Sequence, residues 1–523
     1  MKKEYIFCGE KKEIIKSCNG DYYDSFSFAG KPYALHFNAI NSFGARARFV
    51  SKIINGMKKA AYITIILLIL NIIMPEYVKA FTNNVAAGSS VTGEIVSGGT
   101  QEVFGTANNT TINGGGEQNV RNYGIVNNTI VNDDGIQIVG HDGTAKDTTV
   151  NSGGLQFVAA SGKAENTTVR AGGSQTVFDG SAFGIKQLEG GNINATVGTG
   201  LYMGTYVSGT NALGQTFTLK DGVADNFILY QNGSQTVAYG GVSNMTILNS
   251  GGVQKVQDQG EANNTTINTG GVQTLNLGAR ANNTVNNGGT LNAFSGSFIK
   301  NYDAKDGKIN MYGDNTLSGN TNLIGGALNI MNSGSFNTIN IENLQSDNAV
   351  INMNVDMEKH TGDLLKISGS YNGSSLIKLK NIAPIFTQTS GDGLKLVEIA
   401  NTATGSGTFA LAGGKWDAGG YEYMLYRGTE NAVGNDWYLR SSNSFSDVFK
   451  TMINIPLLNS VLAETGMNSL QKRLGDLRNM GSGDNGIWAR THYKSITIDE
   501  LQKTDMRMFG VEAGYDRLVT PGE

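Results

Sequence analysis

The chain has 523 residues, with 71 glycines, 5 prolines, 39% hydrophobic and 16% charged residues, which leaves room for several domains. Its 40 basic and 44 acidic residues give a formal net charge of −4, which excludes the basic stripe that a nucleic-acid partner requires. Glycine with Asn, Thr and Ser is a composition of disorder, but the apolar positions here recur in register and argue for an ordered repeat.

At the N-terminus, residues 1–56 precede Met57 and read either as an extension of the signal region or, with Met57 as the favoured translation start, as an untranslated N-terminal extension. Lys58 and Lys59 then introduce an apolar run, Ala60 to Met74, which Pro75 ends. Val78-Lys79-Ala80 offers small residues for cleavage after Ala80, so 57–80 has the layout of a secretory signal. The run of ~15 residues is short of the ~20 that a transmembrane anchor needs. Both cysteines, Cys8 and Cys18, lie before Met57, so the mature chain has none. That suits a fold needing no staples, or a chain that must pass unfolded through a second narrow pore.

Between Gly98 and Gly289 the chain returns nine times to one phrase, of which Thr148-Thr149-Val150-Asn151-Ser152-Gly153-Gly154-Leu155-Gln156 is a clear copy. Gln118, Gln137, Gln156 and Gln175 are 19 residues apart, and so are Gln235, Gln254 and Gln273. A fixed period near 20 means one structural unit stacked on itself. Each unit holds two short β-prone pieces divided by a glycine pair that supplies left-handed turn conformations. Period-2 alternation predicts one inward file of Ile112, Ile130, Val150, Val169, Ile247 and Ile267, and a second of Val103, Val120, Val158, Val177, Val237 and Val256. The predicted fold is all-β, a right-handed parallel β-helix (β-solenoid) over 81–300, by the handedness rule for parallel crossovers. At roughly 4.8 Å per coil, its eleven or so coils span ~50 Å. The glutamines are expected to form an amide ladder along the axis. From Gln175 to Gln235 the gap is 60; with Gln215 40 residues after Gln175, degenerate coils are expected there, with a bulge over Leu201 to Tyr206. Thr111, Thr149, Thr168 and Thr266 read as outward strand residues rather than ice-binding or O-glycosylated ones. Asn109, Asn128, Asn166, Asn264 and Asn283 match N-glycosylation strings formally, and more simply are turn residues tolerating the left-handed region.

This repeat resembles that of the AIDA-type adhesins, passengers of a class of autotransporters (type V secretion), over about 90–295. Residues 301–362 read as degenerate coils. From Asp363 the pattern changes. Segments such as Leu394-Lys395-Leu396-Val397-Glu398-Ile399 alternate, and Phe409, Trp416, Tyr421, Tyr423, Trp437 and Tyr438 supply a larger core. This region, 363–442, resembles the pertactin-type junction, an autochaperone cap; a solenoid needs such a cover for its last open coil. In 443–480, Met467, Leu470, Leu474 and Leu477 share one helical face, with Pro456 expected to break or start the helix. The string Leu470 to Arg478 resembles an autotransporter's pore linker.

In 481–523, Phe509, Val511, Ala513 and Tyr515 alternate with Gly510, Glu512, Gly514 and Asp516, and Ile487 to Tyr493 alternate similarly. Apolar-out, polar-in alternation is the signature of an outer-membrane strand. The resemblance is to the opening of an autotransporter β-barrel, so the fold is expected to end in a linker helix and the first strands of an incomplete barrel. A closed barrel leaves no strand edge in lipid; with the chain stopping at Glu523, a fragment or a truncated gene is expected.

Only His36, His141, His360 and His492 are present, with no metal-ligand spacing, and no Gly-x-Ser-x-Gly, His-Glu-x-x-His or phosphate-binding loop occurs. Asp133-Asp134 with His141 and Asp142 is the nearest approach to a glycan-cleaving carboxylate pair, though turn slots favour Asp in any case. No catalytic, cofactor or metal residues are expected, and no cofactor. The resemblance implies an extracellular passenger exported through the periplasm to the outer membrane and cell surface. It implies adhesion to host or bacterial surface ligands, or self-association in biofilm. Periplasmic chaperones, the barrel-assembly machinery and, for a complete barrel, the outer membrane itself are the implied partners. A β-helix enzyme acting on glycans and a passive surface coat are the alternatives.

Overall fold

A computed structural model describes residues 23–28, 31–36, 82–199, 205–331, 334–479, 486–499 and 503–517. The expected signal segment and the cleavage position after Ala80 lie outside the described residues. The chain divides into two units, Met1–Ala80 and Phe81–Glu523. In the first, Tyr23–Phe28 and Lys31–His36 form an antiparallel hairpin.

The second unit is mostly a parallel β-solenoid of about fourteen turns. Each early turn contributes three short strands, such as Ile136–Val139, Thr144–Lys146 and Thr149–Val150. Each of these pairs in parallel with its counterpart 19 residues on: Ile136 lies on Leu155, Thr144 on Lys163 and Thr149 on Thr168. Strands this short have few contacts of their own, and stacking gives every backbone group a partner above and below.

Chain geometry explains the glycines. In the pairs of the 19-residue repeats only the first, such as Gly153 (φ 75°) or Gly270 (φ 79°), is left-handed. The second is needed for room: a Cβ on Gly154 would collide with the carbonyl oxygen of Val131 in the coil below.

The core is thin and built from small branched side chains. Val103, Val120, Val158, Val177, Val237 and Val256 are buried on one face and Ala107, Ala145, Ala164 and Ala262 on another. On the third face the expected inward file needs correction at two positions. Ile130 is 41% exposed and Val131 is inward; Ile247 is only half-buried, and Leu248 takes the inward place. The register decides this, because Val131 pairs with Ile112 and Val150, and Leu248 with Ile267. In these two coils an isoleucine occupies the slot that an outward threonine fills elsewhere.

The period fails over Asn192–Asp225. Asn192–Val197 meets the coil below with Gln175 opposite Ile193, and the coil above with Ala195 opposite Gln235. That two-residue offset takes one glutamine out of the file. The chain then runs through an antiparallel meander, Tyr206–Thr210, Thr216–Lys220 and Val223–Asp225. Gln215 sits in the exposed turn of this meander and not in a degenerate coil. Leu201 lies outside the described residues and Tyr206 opens a regular strand. Asn211 organises the turn, its side-chain oxygen accepting the amides of Leu213 and Gln215, both at 3.0 Å. In the core of this region Phe217 and Phe227 meet edge to face at 5.1 Å, larger than any buried side chain in the coils below.

Parallel stacking continues well past residue 300. From Arg280–Asn287 onward two faces merge into single bent strands, and the ladder reaches Thr408–Leu411. There the pairing changes sense. Leu394–Ile399, Tyr421–Arg427 and Trp437–Phe445 form an antiparallel sheet over the last coils, sealed by Phe409 against Trp437 at 5.8 Å.

The helix Asp447–Asn479 follows, and Pro456 lies inside it without breaking it. Proline removes the bond to the Met452 carbonyl. Met452, Ile455 and Leu457 are all exposed, so water can take that bond's place. Met467, at the head of the apolar stripe, is exposed as well. A hairpin of Gly486–Ile498 and Thr504–Asp516 ends the described chain.

Candidate functional site

Inside the solenoid the glutamines form a hydrogen-bonded spine. Each is two residues before an inward valine or, for Gln273, Leu275, and so points inward too; Gln101, Gln118, Gln137, Gln156, Gln175, Gln235, Gln254 and Gln273 are all fully buried. Apart from Gln101 and Gln235, the Nε2 of each donates to the Oε1 of the glutamine one coil earlier: Gln118 to Gln101 at 2.7 Å, Gln137 to Gln118 at 2.8 Å, Gln156 to Gln137 at 2.6 Å. Threonines complete it, Thr148 donating to Gln137 at 3.2 Å and Thr167 to Gln156 at 2.9 Å. These buried threonines escaped the sequence reading, although each stands two residues before an inward Val, Ile or Leu. At the N-terminal end Gln101 donates to the Glu94 carboxylate at 2.9 Å, a charge-assisted terminus for the amide chain. The offset coil breaks the spine: Gln175 Oε1 and Gln235 Nε2 have no hydrogen-bond partner among the described residues.

At the coil corners Asn109, Asn128, Asn166, Asn264 and Asn283 all adopt φ between 52° and 57°. Their side chains also ladder, Asn128 donating to Asn109 and Asn283 to Asn264, each at 3.2 Å. The outward Thr111, Thr149, Thr168 and Thr266 are partly exposed on paired strands.

Asp133, Asp134, His141 and Asp142 are exposed turn residues; Asp134, His141 and Asp142 are left-handed (φ 57°, 46° and 62°). The structure does not gather them into a cleft. Among the described residues no group of three or more His, Cys, Asp or Glu could hold a metal ion. His360 contacts the Thr387 hydroxyl at 2.9 Å.

A polar cleft of ≈ 330 Å³ opens in the cap beside Lys395, Glu398, Asp436 and Tyr438. Its charges are committed to one another. Asp436 accepts from Lys395 at 2.8 Å and from the Ile399 amide at 2.8 Å, and its hydrogen bond to the lysine holds the Lys395 pKa up. Elsewhere in the cap Lys415 reaches Glu422 at 2.8 Å, Asp447 at 2.9 Å and Asp417 at 3.3 Å, joining the cap sheet to the first turn of the helix. Asp363 is buried with no cation beside it and accepts from the Asn337 amide at 2.9 Å and from both nitrogens of Asn354. Burial pushes its carboxyl up, against the pull of those donors.

The terminal hairpin has two unlike faces. Ile487 (87% exposed), Tyr493 (65%), Phe509 (71%), Val511 (63%) and Tyr515 (62%) stand on one side. On the other, Arg490 meets Glu512 at 3.4 Å, and Lys494 reaches Glu464 of the helix at 3.7 Å. Gly510 and Gly514 lie under His492 and Trp488, where a Cβ would strike each ring.

Residues 123–173 and 208–271 match the family model described as "Adhesin of bacterial autotransporter system, probable stalk", and residues 305–441 match that of Pertactin. The chain carries AIDA-type autotransporter stalk repeats followed by a pertactin domain. Among curated relatives, the chain is 27% identical over 168 residues to Autotransporter CRAC of Citrobacter rodentium (strain ICC168), covering 28% of this chain and 10% of that protein. It is 35% identical over 98 residues to Autotransporter adhesin/invasin TibA of Escherichia coli O78:H11 (strain H10407 / ETEC), 18% of this chain and 9% of TibA. The chain thus spans about a tenth of the length of these relatives. Among solved structures, a TibC-catalyzed hyper-glycosylated TibA fragment aligns at 24% identity and a TM-score of 0.29, over 62% of this chain and 97% of that one. The Haemophilus influenzae Hap adhesin aligns at 16% identity and a TM-score of 0.29, over 69% and 49%.

Proposed function

We propose that the chain is a passenger displayed at the bacterial cell surface and that it acts as a non-enzymatic adhesin, holding host cells or other bacteria. The observation that carries this reading is the succession from stalk to membrane anchor. A solenoid capped by the 394–445 sheet passes through one helix into a hairpin whose outer face is bare and apolar. We read that hairpin as the first two strands of an outer-membrane β-barrel. The pairs Ile487–Tyr515 and Tyr493–Phe509 bound an apolar band of ~20 Å along the strand, with an aromatic ring at each end, as a membrane strand requires. Arg490, His492 and Glu512 then face the lumen.

A relative supports adhesion: TibA is named an adhesin/invasin. Cleavage after Ala80 and export through the periplasm belong to the same reading.

The test expresses the complete gene in its own bacterium. Surface labelling of intact cells, adhesion to epithelial cells and autoaggregation are measured with and without the gene. Labelling together with gain of adhesion or clumping supports the reading. A chain recovered only from the cytosol, or displayed without effect on either assay, overturns it.

A further inference from the structure

On the outer surface of the stalk, the region around the meander differs from the Thr/Asn lattice of the regular coils. Ser181–Gln187 and Tyr206–Thr210 are neighbouring parallel strands, with Ser181 opposite Tyr206. Ala182 and Val207 point inward, so Phe183 and Tyr206 both project outward. Their rings lie 4.9 Å apart at 44°, forming a shallow V on a flat sheet. Lys163, opposite Ser181 in the coil below, holds its ammonium 5.5 Å from the Phe183 ring and 2.5 Å from Glu165. This contact keeps the Glu165 carboxyl ionised, its pKa lowered chiefly by the Lys163 hydrogen bond.

We propose that this platform of Phe183, Tyr206, Lys163 and Glu165 is a binding site for a neutral oligosaccharide, and so a ligand site of the adhesin inferred above, on which reading it rests. A sugar ring has an apolar C–H face that seats on an aromatic ring, and vicinal hydroxyls at its edge. A Lys–Glu pair beside the rings is the matching donor and acceptor for such a diol. The Tyr206 hydroxyl makes no hydrogen bond among the described residues, and the Ser181 and Ser208 hydroxyls lie on the same outer surface; all three are available to a ligand.

Two observations favour a sugar over other occupants. Tyr206–Thr210 is paired on both sides, so a peptide finds no open strand edge to extend. The neighbouring charges also balance: Lys146, Lys163 and Lys220 are matched by Glu165, Asp221 and Asp225, which gives no net field to select an anion. A few polar groups fixed around aromatic surface is the general make-up of a small-ligand site.

The test presents the full chain to an array of neutral glycans (terminal glucose, galactose and N-acetylhexosamine) together with sialylated and sulfated ones and immobilised matrix proteins. Phe183→Ala, Tyr206→Ala and Glu165→Gln are compared with wild type, and far-UV circular dichroism and melting serve as controls for folding. Glu165→Gln is nearly isosteric and keeps the test decisive where loss of a ring disturbs the sheet. The expected result is binding of a neutral glycan that weakens about tenfold without a ring and several-fold in Glu165→Gln. A chain that adheres to cells but binds no neutral glycan, or binds one equally well in all folded variants, overturns the site and leaves the adhesin reading standing. Binding of a protein or an anionic glycan through these residues also overturns it. A displayed chain that neither adheres nor binds refutes both.

Discussion

At the residue scale the buried spine is the most exacting element of the stalk. Gln156 takes part in three hydrogen bonds, donating to Gln137 and accepting from Gln175 at 2.5 Å and Thr167 at 2.9 Å. Gln156→Leu keeps the volume and strands two donors in a dry core, so a loss of roughly 2–4 kcal/mol in urea unfolding is expected. The double variant Gln137→Leu with Gln156→Leu should cost less than the sum of the two single changes, because the apolar pair no longer faces itself with an orphaned amide. At the corners Met245 occupies the left-handed slot (φ 53°) that asparagine fills one coil on at Asn264. A side chain without a local hydrogen bond gains nothing there. Met245→Asn is expected to raise stability by ~0.5–1 kcal/mol, read as a higher urea midpoint; no change or a fall refutes the strain.

At the scale of elements, Asp363 joins three segments near the top of the stalk. Its folded pKa is raised, so the folded state binds the proton more tightly than the unfolded chain does. Its contribution is therefore fully present below the ordinary carboxyl range and is lost as pH rises through the folded value. Relative to Asp363→Asn, which cannot titrate, the wild-type cap should lose stability as pH rises from about 4; parallel melting curves for the two would exclude the effect. The Lys415 contacts tie the cap to the helix. Lys415→Met should leave the cap folded but speed proteolysis in the first turn after Asp447. Equal cleavage rates would show that the latch does nothing.

For the whole molecule, the break in the spine divides the stalk into two amide ladders, one from Glu94 to Gln175 and one from Gln235 to Gln273. All three tryptophans, Trp416, Trp437 and Trp488, lie in the cap and hairpin. Tryptophan fluorescence therefore follows that end alone, while far-UV circular dichroism follows the stalk. The two signals should unfold at different denaturant concentrations, since a solenoid's stability is a sum of local interfaces. Trp437→Ala should move the fluorescence transition and not the main dichroism one; coincident transitions would mean a single cooperative unit.

Much of this could be read along the chain. The 19-residue period, the glycine pairs and the inward valines name a stacked coil, because each coil repeats one local environment and one register. The αL asparagines are legible for the same reason. Other features depend on how coils meet. Taking the first branched aliphatic after the threonine as inward misplaced Ile130 and Ile247, whereas the parallel register sets Val131 and Leu248 inward. Gln215 had the spacing of a spine residue and lies in a hairpin turn, because an antiparallel meander can replace a coil without changing the length of the gap much. Pro456 reads as a helix end, and the helix runs through it where its lost bond faces water. The Phe183–Tyr206 pair has no sequence signal at all, its members standing 23 residues apart. The sequence alone determined what repeats, since repetition is local chemistry copied; only the tertiary structure decided which residues the stacking brings side by side, and whether a given polar group is sealed in the core or offered to a ligand.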